Sequence, residues 1–283
     1  MIKTRSFPEH NYKAIFCNGK TMRLQYDTAK DIGELDYPEF MDIAVNSLCF
    51  GSCPYCYVSA THGGKNYVRV LDKIDSYFGS LTENQRPFQV AIGGAGEPTL
   101  HPKFPQILQK FYELGIMPNY TTNGMHLSSK VMTATRNYSG GVAVTCHPHL
   151  EKHWRRATEL LLENGIRTNL HIIISDERSA DIFLDLHDEF SGRIDYFVLL
   201  PYQPVGRAGP IKTAFDYLFD WIQVWISDYS DIAFGALFHE ELKSRPWLDV
   251  SLYEPEIMSK YLDMDEMILY PSSFDLTPIR KVL

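Results

Sequence analysis

Cys49-Phe50-Gly51-Ser52-Cys53-Pro54-Tyr55-Cys56-Tyr57 places three cysteines at C-x3-C-x2-C spacing in one short loop. Three thiolates from such a loop can converge on one cluster, whereas an ordinary ferredoxin cluster takes four. A cluster held by three protein thiolates keeps one iron open to an outside ligand. An open position is the mark of a catalytic rather than a structural metal site. Just upstream, Met41-Asp42-Ile43-Ala44-Val45 alternates as a strand does. The cysteine loop is therefore expected at that strand's C-terminal end, where α/β proteins place their chemistry.

A second strand, Phe88-Gln89-Val90-Ala91-Ile92, runs directly into Gly93-Gly94-Ala95-Gly96-Glu97-Pro98. Taken alone, a glycine run after a strand also suits a phosphate site. No Lys-Ser/Thr follows it, which excludes a P-loop, and the first-strand position of a dinucleotide fingerprint is already taken by the cysteines. Structural zinc wants four ligands, usually as two pairs, and only lone Cys17 and Cys146 remain, with His62 as a possible fourth donor. Five cysteines without a signal peptide read as a reduced, cytoplasmic protein rather than a disulfide framework.

The cysteine loop and the Gly93–Glu97 segment together resemble the radical S-adenosylmethionine (radical SAM) enzymes, and most closely their peptide-maturing members. That family binds [4Fe–4S] through C-x3-C-x2-C with an aromatic residue between the last two cysteines, here Tyr55. The resemblance implies an α/β fold, a six-stranded partial (β/α) barrel. It assigns Cys49, Cys53 and Cys56 to three irons and leaves the fourth iron to S-adenosylmethionine. One-electron cleavage of that cofactor would release a 5′-deoxyadenosyl radical, the protein supplying binding and orientation. Gly93, Gly94 and Glu97 are expected to hold the methionine ammonium, Glu97 by a charge-assisted hydrogen bond. Thr122 and Asn123 are expected at the ribose, Thr145 at the carboxylate or ribose, and Tyr55, Leu200 and Pro201 near the adenine. The implied partners are a flavodoxin- or ferredoxin-type electron donor and a peptide or small-molecule substrate.

The rest of the chain supports one barrel-sized unit. Tyr12–Cys17 and Lys20 to Tyr26 flank Asn18-Gly19, the strongest short hairpin signal. From residue 41 strands alternate with helices: strands at 41–45, 88–92, 117–122, 141–145, 167–174 and 195–200, helices at 68–80, 104–114, 128–137, 151–164, 180–190 and 215–228. Such alternation implies parallel pairing with right-handed crossovers. Division is expected into an N-terminal hairpin extension (1–40), the barrel (41–230) and an irregular C-terminal extension or cap (231–283), with one strand near 266–270.

With 283 residues, 45% of them hydrophobic, the chain has ample core for one domain of this size. No apolar run is long enough to span a bilayer. A net charge of −8 opposes an electrostatic grip on nucleic acid, and Lys152, His153, Arg155 and Arg156 read as a solvated helix face. Cys146, His147 and His149 follow the fourth barrel strand and are candidates for substrate contact. Arg207 is a candidate anchor for a substrate carboxylate. Asp265 to Ser273 resembles the strand where peptide maturases place a cysteine after Tyr-Pro, but Ser272 stands there. The expected enzyme therefore has one cluster and no auxiliary-cluster cysteines. A glycyl-radical enzyme activase and a non-catalytic barrel are the alternatives.

Overall fold

The hairpin at Asn18-Gly19 forms as expected, with positive φ at both residues (48° and 80°), the signature of a type I′ turn. The computed structural model describes residues 2–283 except 31, 33, 34, 212, 214, 227, 228, 246 and 249–254. Strands β1 (Ile2–Phe7), β2 (Tyr12–Cys17) and β3 (Lys20–Gln25) make an antiparallel sheet of three rather than a lone hairpin. Tyr12, Ala14 and Phe16 on one face of β2 are fully buried. Phe16 stacks on Phe88, the residue leading into the second barrel strand, with ring centroids 5.5 Å apart. The small sheet thereby plugs the end of the barrel opposite the cysteine loop.

The six anticipated barrel strands are β4 (Phe40–Ala44), β5 (Gln89–Ile92), β6 (Met117–Thr122), β7 (Gly141–Thr145), β8 (Thr168–Ile174) and β9 (Tyr196–Pro201). They are adjacent in that order and parallel throughout. Helices α1 (Val70–Tyr77), α2 (Phe104–Glu113), α3 (Ser129–Tyr138), α4 (Glu151–Glu163) and α5 (Glu177–Phe190) are the crossovers, and α6 (Phe215–Trp225) follows β9. The α5 start lies three residues before the expected one, because Asp176 and Ser179 form a capping box that the apolar periodicity does not reveal. The last residues of the helix expected over 215–228 lie outside the described residues.

The C-terminal region adds more strands to the sheet than the one expected near 266–270. Strand β10 (Ile232–Phe234) adds in parallel to β9, while β11 (Ser259–Asp263) adds in parallel to β4 at the other side. Beyond it β12 (Ile268–Tyr270) and β13 (Arg280–Lys281) continue antiparallel. Among the described residues this sheet has ten strands, and its edges β10 and β13 are unpaired with each other, leaving the barrel open. β12 is the strand expected near 266–270, whereas β10 and β13 were hidden because strands of three and two residues show no alternation to read.

Strand alternation sorts the barrel into two faces. Met41, Ile43, Val90, Ile92, Tyr120, Val142, Val144, Leu170, Ile172, Phe197 and Leu199 point outward into the helix layer and are at most 2% exposed. Ile107, Leu108 and Phe111 of α2 are fully buried against them. Burial of such side chains contributes about 1.5–3 kcal/mol each. The intervening residues, among them Asp42, Ala91, Asn119, Thr121, Ala143, Asn169, His171 and Val198, line the concave face and are partly buried. No helix among the described residues is long and apolar enough to cross a membrane.

Candidate active site

The loop leaving β4 is held from several sides. The Cys49 N–H donates to Thr61 O at 3.0 Å, and the Cys56 N–H to Cys53 O at 3.3 Å. The loop after β9 reaches over to it: the Arg207 N–H donates to Cys56 O at 3.0 Å, Arg207 Nε to Cys53 O at 3.1 Å, and Nη1 to Ala60 O at 2.7 Å. The Arg207 guanidinium therefore latches the cysteine loop through Nε and Nη1. Arg207→Ala is expected to remove about 1–3 kcal/mol of this anchoring, read as faster loss of iron to a chelator from reconstituted protein. An unchanged rate would remove the latch.

Cys53 is 7% exposed, and burial, followed by its neighbours Cys49 and Cys56, pushes its thiol up to about 12. Cys49 is raised by burial as well, against hydrogen bonds from the Gly51 N–H at 3.4 Å and Asn123 Nδ2 at 3.6 Å. Three mutually coupled thiols on one loop, with N–H donors aimed at a sulfur, suit a multi-iron cluster, in which each thiolate takes its own iron. Among the described residues no group of three or more His, Cys, Asp or Glu side chains is arranged so that it could hold a metal ion. His62 bonds Ser52 Oγ at 3.1 Å.

The glycine segment packs directly on this loop. A Cβ at Gly96 would lie 2.7 Å from both Leu48 O and Asn46 Oδ1, so no side chain fits where the two segments touch. Gly94 takes φ +83° with the Tyr261 ring beside it, and its carbonyl accepts from Tyr57 Oη at 3.3 Å. Gly93 has only ordinary neighbours. The close backbone contact between the two segments thus falls on Gly96, beside Glu97.

Glu97 is 3% exposed, and its carboxylate is filled by protein donors. Oε1 accepts from Thr99 N–H at 3.3 Å, Thr99 Oγ1 at 2.6 Å and Thr122 Oγ1 at 2.8 Å; Oε2 accepts the Asn123 N–H at 2.8 Å. Burial raises its pKa and these bonds oppose the rise. Glu97 therefore organises the ends of β5 and β6 instead of offering an open carboxylate to an ammonium. Thr122 Oγ1 also accepts the Gly124 N–H at 3.1 Å.

Thr145 and Leu200 lie on the concave face, while Pro201 and Cys146 alternate to the outer side, both buried. The Cys146 thiol sits in the core, donating to Val144 O at 3.9 Å, and burial raises its pKa far above the usual range. Tyr55 meets His147 instead of open space: Oη lies 3.2 Å from His147 Nδ1, and the rings are 5.6 Å apart. His149 Nε2 bonds Gly51 O at 3.0 Å. Burial, followed by His149, lowers His147 to about 4, so it is neutral at pH 7. Both histidines brace the cysteine loop from the end of β7.

Two concave-face groups escape sequence reading. Asp42 has no hydrogen-bond partner among the described residues, and burial pushes its carboxyl up to about 7. It sits level with Ala91 and Tyr261 on the neighbouring strands and is close enough to raise Tyr57 and Tyr261. His171, level with Thr145, is likewise unpartnered among the described residues and lowered by burial to about 4. The available signal was a charged or titratable residue inside a strand that parallel packing should cover on both faces.

The model of the radical SAM superfamily matches residues 43–139. No curated protein is similar enough in sequence to match. Among solved structures, Streptococcus suis SuiB bound to S-adenosylmethionine is similar with a TM-score of 0.67 at 16% identity, covering 84% of this chain and 61% of SuiB. SuiB bound to precursor peptide SuiA gives 0.63 at 16% identity, covering 84% and 60%. Native anSMEcpe with bound AdoMet and Cp18Cys peptide gives 0.61 at 14% identity, covering 84% and 75%. The chain spans about three-fifths of the length of SuiB. The segment 43–139, which carries the three cysteines and Glu97, matches the radical SAM superfamily model, and the partial barrel built around it has the fold seen in SuiB and anSMEcpe.

Proposed function

We propose that this chain is a radical SAM enzyme acting on a peptide. The reading is supported by Cys49, Cys53 and Cys56 sharing one latched loop, which follows the segment pressed against Gly96 at the C-terminal end of the barrel. When bound there, a [4Fe–4S] cluster and S-adenosylmethionine supply a 5′-deoxyadenosyl radical from one electron, delivered by a flavodoxin- or ferredoxin-type donor. The chain's own residues do the positioning. Arg207, His149 and the Thr61 carbonyl fix the cysteine loop; Glu97 fixes the β5 and β6 ends; Thr145 and Leu200 offer contacts at the rim. The concave face below, with Asp42, Asn119, Asn169 and His171, is polar, partly open and suited to a substrate. The peptide class is supported by the neighbours, since SuiB and anSMEcpe are both described with peptides bound. A reduced, cytoplasmic setting suits an open iron.

Anaerobic reconstitution is expected to give about four irons and four sulfides per chain. With dithionite and S-adenosylmethionine the loaded protein is expected to form 5′-deoxyadenosine slowly, even without its substrate. Stoichiometric zinc in place of iron, or S-adenosylhomocysteine as the sole product, would overturn the reading.

A further inference from the structure

Both ends of the Asn123 side-chain amide have a partner, and these partners fix which way the amide faces. Oδ1 accepts the Met125 N–H at 3.0 Å, which only an oxygen can do. The amide NH2 must then face Cys49 Sγ, 3.6 Å away. The backbone is fixed too, through the Asn123 N–H to Glu97 Oε2 at 2.8 Å, and the residue is 7% exposed. Glu97 is itself held by Thr99 and Thr122, so the amide is aimed by a buried, fully bonded network. Among the described residues Cys49 is the one cysteine of the loop whose sulfur accepts from another residue's side chain, in addition to the Gly51 N–H at 3.4 Å.

Hydrogen bonds to the sulfurs are among the factors that set the potential of an iron–sulfur cluster. An N–H donor draws negative charge from the thiolate and favours the reduced, more negative state. We infer that Asn123 is a hydrogen-bond donor to Cys49 as a cluster ligand, aimed by Glu97, and that it raises the cluster's reduction potential. This rests on the cluster proposed above. It replaces a ribose contact as the role of Asn123.

The test is an EPR-monitored redox titration of reconstituted protein without S-adenosylmethionine. Asn123→Ala is expected to keep its iron but to titrate at a more negative midpoint. A tenfold change in the oxidised-to-reduced ratio at fixed potential corresponds to about 59 mV for one electron. An unchanged midpoint at wild-type iron content overturns the inference, most clearly if S-adenosylmethionine binding weakens instead, since that is the ribose-contact outcome. A second measurement needs no variant. Pulsed EPR of the reduced wild-type cluster, in protein labelled with 15N in the asparagine side-chain amide, is expected to show a weak nitrogen coupling, and its absence overturns the inference as well. A wild-type chain that takes up no cluster fails the cluster reading itself, which separates the two failures.

Discussion

Cys53→Ala is expected to leave the chain with near-background iron and sulfide after anaerobic reconstitution, and with no 5′-deoxyadenosine from S-adenosylmethionine and dithionite. Two thiolates cannot hold three irons, and the remaining pair, Cys49 and Cys56, lies at the two ends of the loop. Cys53 is also the most shielded of the three. Its free thiol resists ionisation because burial and two neighbouring sulfurs oppose the charge. Metal binding supplies the compensating charge and couples cluster uptake to proton release. Loss of iron is thus expected to exceed that of any other single-residue change outside the loop. Cys17→Ala is the matched control. Cys17 lies at the end of β2 in the N-terminal sheet, across the barrel from the loop, and its loss is expected to leave about four irons in place. Full iron in Cys53→Ala would remove the loop from the chemistry.

The barrel strands were legible because each is long enough to show apolar character and is bounded by a helix with its own period. The cysteine loop was legible because spacing survives without structure. What stayed hidden was the direction of side chains at strand ends. Thr145 and Cys146 are sequence neighbours, yet period-two geometry sends one into the cavity and the other into the core. Leu200 and Pro201 divide in the same way. Glu97 could be placed beside the site from its motif, but not its four donors, which come from Thr99, Thr122 and Asn123 after the chain has folded. Arg207 shows the same limit, since its partners Cys53 and Ala60 lie about 150 residues away. The C-terminal strands were illegible for a different reason: β10, β11 and β13 take their place from neighbours on both edges of the sheet, not from a local pattern.

Asp42→Asn is expected to raise the melting temperature of the reconstituted protein at pH 8 and to leave it nearly unchanged at pH 4. The folded carboxyl is pushed from 3.8 up to about 7 by burial, with no cation or hydrogen-bond donor to oppose it among the described residues. Between those values the folded chain holds a proton that the unfolded chain has lost. The carboxyl therefore costs nothing below about pH 4, and its penalty grows as pH rises through about 7. Each tenfold change in proton affinity between the folded and unfolded chain is worth about 1.4 kcal/mol, and discounting for the part of Asp42 that meets solvent leaves roughly 1–3 kcal/mol at pH 8. His147 and His171 act in the opposite sense over much of the same range, because both are lowered to about 4 and lose stability as pH falls. The wild-type profile alone would blend these effects, so the difference between Asp42→Asn and wild type is the quantity to read. Glu39 is also raised to about 7 by burial, although Arg5 partly offsets the burial and Arg23 Nη2 lies 2.8 Å from Oε2. Its ionisation therefore also costs stability as pH rises through about 7. A melting temperature for Asp42→Asn that stays at or below wild type at pH 8 would mean that the carboxyl is paired in solution. A gain there would mark Asp42 as a group kept on the concave face at a cost in stability, which a scaffold has no reason to carry and a substrate site does.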